Sequence, residues 1–348
     1  VGAAGTAMRF LIAYFAGQAG DYVLTGTTRM KNRPVHLLVE ALRAAGAKIE
    51  YLEKEGFPPL HIMGQTLKGG EISLDGSVSS QYISALLMMA PVMTNGLRLH
   101  LVGEIVSTPY INLTIQLMRQ FGVIVFIDGS TLVILPQQYD LEKNFTVESD
   151  WSAASYWYEM VALSDDQMSS VVLNGLWLDS LQGDASIAEL FDRLGVNTSF
   201  TPSGVTLSKK SRNIDSPLVH DFTSIPDLAQ TVVVTCAMLH IPFRFTGLQS
   251  LKIKETDRLL ALKTELKKLG FLLEIQNYNT LIWSGEKCDA EPSPVVATFE
   301  DHRMAMAFAP ASLCLREGIC IADLQVVSKS YPSFRDDLKK ANFTITEI

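Results

Sequence analysis

The stretch Glu265-Leu266-Lys267-Lys268-Leu269-Gly270-Phe271-Leu272-Leu273-Glu274-Ile275 decides the fold, because it recurs along the chain. It reads as the end of an amphipathic helix, a glycine turn and a short apolar strand. It belongs to residues 259–275. Copies lie within 35–50 (LVEALRAAGAKIE), 111–126 (LMRQFGVIVF), 187–200 (LFDRLGVNTSF) and 334–348 (DLKKANFTITEI). The turn residues are Gly46, Gly122, Gly195, Gly270 and Asn342, at spacings of 76, 73, 75 and 72 residues. Glycine or asparagine just past a helix is the left-handed cap that ends it.

Each copy is paired with a second helix that opens on small or polar residues and then turns strongly apolar. These openings are 5–12 (GTAMRFLI), 79–87 (SSQYISALL), 152–157 (SAASYW), 227–233 (DLAQTVV) and 301–306 (DHRMAM). A helix apolar on nearly all sides is buried. A polar start to such a helix turns free N–H groups toward a cleft. The expectation is an α/β (α+β) protein built from repeated units of about 74 residues, each with one buried and one outer helix. Pro136 and the charges of 137–148 interrupt the pattern and suggest a linker, so domains are expected at 1–147 and 148–348. Five units are visible. Two equal domains need an even number, so a sixth unit is expected upstream of Val1.

The composition excludes several classes. Hydrophobic residues make up 47% and charged residues 19%, which supplies a full core and rules out general disorder. Lys and Arg number 29 against 37 Asp and Glu, a formal charge of −8. Nucleic-acid binding is therefore not expected, since it wants a basic surface. No apolar run reaches about 18 residues, so no membrane-spanning helix is expected. The cysteines Cys236, Cys288, Cys314 and Cys320 form no C-x-x-C pair, and no histidine cluster has zinc spacing. A reducing, cytoplasmic setting and no metal are the expectation.

Chemistry-bearing residues sit at the helix starts. Lys254-Glu255-Thr256-Asp257-Arg258 is either a solvated helix start capped by Thr256 or Asp257, or a pair of cations at i, i+4 aimed at an anion, with Glu255 able to move a proton. Arg303, in Asp301-His302-Arg303, stands before a buried apolar helix. It calls for a bound anion or a structural carboxylate. Asp227 follows Ile225-Pro226. It either caps the next helix or works as a base with a raised pKa. Gly5-Thr6-Ala7-Met8-Arg9 looks like a tight helix start with a cation. Ser79-Ser80-Gln81 offers hydroxyl and amide groups to a phosphate, or plain capping. Arg29-Met30-Lys31-Asn32-Arg33-Pro34 reads alone as a solvated loop, and Lys329, just before a proline turn, is uninformative alone. Together, several cations at successive helix starts imply a multiply charged, phosphate-bearing substrate. No Walker loop, dinucleotide fingerprint or nucleophile elbow is present.

This set, in this order, closely resembles the 5-enolpyruvylshikimate-3-phosphate synthases along the whole chain. The resemblance implies the two-domain enolpyruvyl transferase fold, with three repeat units per domain closing on substrate. It implies transfer of the enolpyruvyl group of phosphoenolpyruvate to the 5-hydroxyl of shikimate 3-phosphate with release of phosphate. It further implies no cofactor and a cytoplasmic monomer. By matching motif, Arg29, Arg258, Arg303 and Lys329 are implied as phosphoenolpyruvate cations, with Gly5 lining that pocket. Ser79, Ser80, Gln81, Ser107, Tyr110, Asp227, Ser250 and Lys254 are implied as shikimate 3-phosphate contacts. Asp227 and Glu255 are the implied proton-transfer pair. The family's Gly-Ser-Lys-Ser-type segment and a nearby arginine are not in this sequence. Ala3, Phe10 and Ser250 also depart from common family residues.

Two other readings compete. One is enolpyruvyl transfer to UDP-N-acetylglucosamine, which shares the fold and chemistry, but the cysteines here do not suit that enzyme's reactive loop. The other is a non-catalytic anion-binding scaffold, against which the intact Lys254, Glu255, Arg258, Arg303 and Lys329 argue.

Overall fold

The computed structural model describes residues 1–77, 79–214 and 216–347, Ile253 by its backbone alone. Ile348, the end of the fifth copy, lies outside the described residues. The chain divides into two units, Val1–Thr146 and Val147–Ile348.

The first unit runs α1 (Gly5–Gly17), β1 (Gly20–Leu24), α2 (Thr28–Lys31), α3 (His36–Ala44), β2 (Lys48–Tyr51) and β3 (Leu60–Gly64). It continues with β4 (Gly70–Asp75), α4 (Ser80–Met89), β5 (Leu97–Val102), α5 (Thr108–Gln120), β6 (Phe126–Asp128) and β7 (Thr131–Ile134). Its sheets are β1-β3-β2, antiparallel throughout, and β4-β5-β7-β6, in which β4 and β5 are parallel.

The second unit runs α6 (Trp151–Leu163), β8 (Ser170–Asn174), α7 (Ile187–Arg193), β9 (Val196–Thr201) and β10 (Gly204–Lys209). Then come β11 (Leu218–Asp221), α8 (Ala229–Met238), β12 (Phe243–Thr246), α9 (Arg258–Lys268), β13 (Glu274–Gln276) and β14 (Thr280–Trp283). Last are β15 (Val295–Val296), α10 (His302–Phe308), β16 (Cys320–Ile321) and α11 (Phe334–Lys340). Its sheets are β8-β10-β9, β11-β12-β14-β13 and β15-β16.

The repeat, complete in β4 to β7 and in β11 to β14, is thus a strand, a buried helix, a strand, an outer helix and a β-hairpin. The strand expected after Asn342 is not formed among the described residues, where the chain past α11 stays irregular. The register explains why it recurs. Gly46, Gly122, Gly195, Gly270 and Asn342 have φ of 102°, 84°, 96°, 93° and 65°, the left-handed region a cap requires. Beyond four of these turns the next amide reaches back five residues: Ala47 to Leu42 O, Val123 to Met118 O, Phe271 to Leu266 O and Phe343 to Leu338 O. That bond closes the helix and, after the first three, turns the chain into the outer strand.

The buried helices α6 and α8 form the centre of the second unit. Every residue of α8 is buried, and every residue of α6 except Ala153. Phe191, Phe222, Phe243 and Phe245 pack around them. In the first unit α1 and α4 have the same place, with Met8, Ile12, Ile83 and Leu86 inside. Burial of such side chains contributes about 1.5–3 kcal/mol each. Because the helix middles are committed to the core, only their N-terminal turns are left to carry chemistry.

Candidate active site

In the second unit the polar helix starts converge. Asp227 lies in a 3-10 turn, Pro226–Leu228, that leads into α8. Asp257 caps α9, its side chain accepting from Leu260 N at 3.1 Å. This corrects the helical i, i+4 reading of Lys254 and Arg258. Asp257 is extended (φ −72°, ψ 92°), so α9 starts at Arg258 and Lys254 precedes it. The two cations still meet, because both face Asp227.

Arg258 is buried and held by three carboxylates. Its Nε donates to Asp301 Oδ2 at 2.7 Å, Nη1 to Asp227 Oδ1 at 2.9 Å and Nη2 to Glu255 Oε2 at 3.0 Å. Lys254 Nζ lies 3.4 Å from Asp227 Oδ1, and Lys329 Nζ pairs with Glu255 Oε1. Arg303 donates from Nη1 to the Asp227 carbonyl at 3.2 Å and from Nη2 to Asp227 Oδ2 at 3.4 Å. Asp301 caps α10 by accepting from Arg303 N at 2.9 Å.

The choice left open for Arg303, anion or structural carboxylate, resolves in part. Asp227 faces it, while Asp301 serves Arg258. The side chains of Arg303, Lys329 and Lys254 are 14%, 20% and 29% exposed, against 2% for Arg258. A ligand would therefore reach those three cations more readily.

The electrostatics follow from this packing. Burial pushes the Asp227 carboxyl up, but Arg303, Lys254 and Arg258 outweigh it and hold it well below the usual carboxylate range. This corrects the raised pKa considered for Asp227: three cations surround it. Arg258 and Arg303 are held firmly cationic, burial being overcome by Asp301 and Asp227 respectively. Burial and Arg303 bring His302 down to about 4. Ser250 lies in the 3-10 helix Gln249–Ile253, one turn before Lys254.

In the first unit the start of α1 gathers a second group. Gly5 is buried, and a β-carbon on it would stand 2.5 Å from Arg33 Nη1 and 3.0 Å from Arg9 Nη1. Arg9 donates from Nη1 to Gly5 O at 3.1 Å and lies 5.9 Å from the Tyr82 ring centroid. Gln81, at the start of α4, donates to Thr6 Oγ1 at 2.8 Å. Ser79 is the N-cap of α4 and makes no side-chain capping bond, so its hydroxyl is not spent on the helix. Arg29 is exposed on the short α2. Ser107 (φ 56°) caps α5, and Tyr110 lies in its first turn. Ser84 Oγ and Thr114 Oγ1, 2.7 Å apart, join α4 to α5.

Four residues at these sites are not singled out by the sequence reading. Asp301 is hidden behind its capping role. Arg33 is one of three cations in an ordinary-looking loop. Ser152 is marked only as a helix start; the structure makes Asp150 the cap there. Asp184, in Gln182-Gly183-Asp184, gives no signal beyond a glycine followed by an acid.

Comparison with known proteins gives one answer. The sequence matches the family model for EPSP synthase (3-phosphoshikimate 1-carboxyvinyltransferase) over residues 1–338. It is 57% identical over 344 residues to the 3-phosphoshikimate 1-carboxyvinyltransferase of Bacteroides fragilis, covering 99% of this chain and 83% of the relative. The Vibrio campbellii protein of the same name is 38% identical, with 97% and 78% covered. The fold matches the EPSP synthase of Acinetobacter baumannii with a TM-score of 0.75 at 23% identity, covering 98% of this chain and 78% of that one. It also matches the enolpyruvyl transferase NikO of Streptomyces tendae, with a TM-score of 0.68 at 16% identity and 96% and 76% covered. With the repeated α/β fold and the cation-ringed Asp227 already in place, these matches show that the chain belongs to the EPSP synthase family of 3-phosphoshikimate 1-carboxyvinyltransferases.

Proposed function

We propose that this protein transfers the enolpyruvyl group of phosphoenolpyruvate to the 5-hydroxyl of shikimate 3-phosphate and releases phosphate. The observation that carries the reading is Asp227, a carboxylate faced by Lys254, Arg258 and Arg303. On the second unit, Arg303 and Lys329 bind phosphoenolpyruvate, with Arg258 adding its charge. Lys254, Asp227 and Ser250 meet shikimate 3-phosphate. On the first unit, Arg29 and Gly5, whose missing β-carbon lets Arg33 and Arg9 approach closely, serve phosphoenolpyruvate. Ser79, Ser80, Gln81, Ser107 and Tyr110 serve shikimate 3-phosphate.

Without substrate, Asp227 is too acidic to be an effective base. Anionic substrates change that. When a phosphate or carboxylate takes up the charge of Arg303 and Lys254, Asp227 loses part of its cationic field and becomes more basic. Glu255 enters the cycle in its acid form. In the first half-reaction Asp227 accepts the proton of the 5-hydroxyl as that oxygen attacks C2, and Glu255 gives its proton to C3. In the second, Glu255 takes a proton back from the new methyl group, the C2–O bond to phosphate breaks, and the proton on Asp227 leaves with phosphate. The arginines hold the charge that develops on the departing group.

The four cysteines are free, which supports a reducing, cytoplasmic setting. Among the described residues no helix is long and apolar enough to cross a membrane.

Arg303→Ala tests the assignment by steady-state kinetics. It removes a charge-assisted contact of about 2–5 kcal/mol, so kcat/KM for phosphoenolpyruvate drops by at least about thirtyfold. Near-normal kinetics in that variant contradict the assignment.

A further inference from the structure

Arg303 has a second tether. Its Nη2 donates to Ser152 Oγ at 3.4 Å, and the Ser152 hydroxyl donates to Asp184 Oδ2. A hydroxyl has one proton to give. Committing it to a carboxylate leaves the oxygen lone pairs for the guanidinium and makes them better acceptors. Asp184 therefore sets the direction in which Ser152 holds Arg303.

The loop that presents Asp184 is built to be rigid. Glu148 accepts from Trp151 Nε1 at 2.8 Å, Trp177 N at 3.1 Å, Ser180 Oγ at 2.7 Å and Gln182 Nε2 at 3.0 Å. Gln182 in turn accepts from Trp151 N at 3.0 Å and donates to Ser149 O at 2.7 Å. The loop is thus fixed to the first turn of α6, and Asp184, two residues past Gln182, is only 3% exposed.

We propose that Asp184 is a positioning residue for Arg303, acting through Ser152, and that it binds a proton when an anionic substrate settles on Arg303. The inference rests on Arg303 being a phosphoenolpyruvate cation. Among the groups that face Asp184 are Ser152 on α6, Asp150 before it, Asp227 before α8 and Arg303 on α10. Arg303 is a cation, and a bound anion spends its charge. The anion also adds a like charge beside a buried carboxylate. Both changes favour the neutral acid. Burial and Asp227 already push Asp184 up to about 6, which leaves it close to neutralisation before any ligand arrives. By linkage, whatever the anion does to the affinity for the proton, the proton does to the affinity for the anion.

The test is the pH dependence of the KM for phosphoenolpyruvate in the wild-type protein, Asp184→Asn and Ser152→Ala. Asp184→Asn keeps the shape and an acceptor for Ser152 but cannot ionise. The ratio of wild-type to Asp184→Asn KM should rise by about fivefold between about pH 6 and about pH 8, because only the wild type must neutralise a carboxylate to bind. Ser152→Ala should raise the KM for phosphoenolpyruvate by about fivefold while kcat and the KM for shikimate 3-phosphate stay within about twofold. A pH-independent ratio, or an unchanged KM in Ser152→Ala, overturns the proposal.

Should a variant fail to fold, the wild type decides alone. Its KM, expressed for the fully ionised substrate, should climb by about fivefold over the same range, and a flat profile overturns the proposal. Absence of any phosphoenolpyruvate turnover in the wild type would instead overturn the reading of Arg303, and this inference with it.

Discussion

Arg258 spans both oxygens of Asp301: its Nε lies 2.7 Å from Oδ2 and its Nη2 3.3 Å from Oδ1, with side-chain exposures of 2% and 0%. The pair ties the start of α9 to the start of α10. It leaves Arg258 Nη1 and the second N–H of Nη2 to fix Asp227 and Glu255. One buried arginine thus places both proposed proton carriers, and a buried carboxylate is what keeps that arginine in place.

Asp301→Ala should therefore destabilise the second unit by about 3–5 kcal/mol, because it leaves a buried guanidinium short of its main counter-charge and removes the α10 cap. Asp301→Asn, which keeps the cap, should cost less. Urea unfolding of the wild type and both variants measures this. A loss under about 1 kcal/mol for the alanine variant would show that Asp227 and Glu255 suffice to hold Arg258.

Gly5→Ala acts by crowding. The new β-carbon would meet Arg33 Nη1 at 2.5 Å and Arg9 Nη1 at 3.0 Å, so a guanidinium must shift. Overpacking of this kind costs about 1–3 kcal/mol. The KM for phosphoenolpyruvate should rise by roughly five- to a hundredfold, with that for shikimate 3-phosphate little changed. If only the shikimate 3-phosphate side moves, Gly5 has been given the wrong substrate.

His302 sets an acid limit on stability. It is held at about 4 in the folded protein, by burial and by Arg303, against an ordinary value of 6.5. The unfolded chain then binds the extra proton, so stability is present above about pH 6.5 and is lost as pH falls toward about 4. The loss attributable to His302 is about 3 kcal/mol. Comparing His302→Asn with the wild type across that range isolates it, since Asp184, raised to about 6, contributes the opposite slope in both proteins. Parallel stability profiles would remove His302 from the account.

The repeats were legible because their signals are local. A glycine or asparagine in the left-handed region follows each outer helix within a few residues, and helix periodicity ends there. The cation-bearing helix starts were legible for the same reason. The partners of those cations were not. Asp227 and Arg303 meet across 76 residues, Ser152 and Arg303 across 151, and Ser152 and Asp184 across 32. No spacing rule links such positions. Asp301 and Asp257 show a second limit. A capping aspartate has one sequence signature, and only the fold reveals that Asp301 also neutralises a buried arginine while Asp257 does not share that task.

Phosphate release in the presence of phosphoenolpyruvate and shikimate 3-phosphate tests the reaction itself. Release should require both substrates and be lost in Asp227→Asn, by roughly a hundredfold or more. Release from phosphoenolpyruvate alone, or full activity without the Asp227 carboxylate, would contradict that reaction.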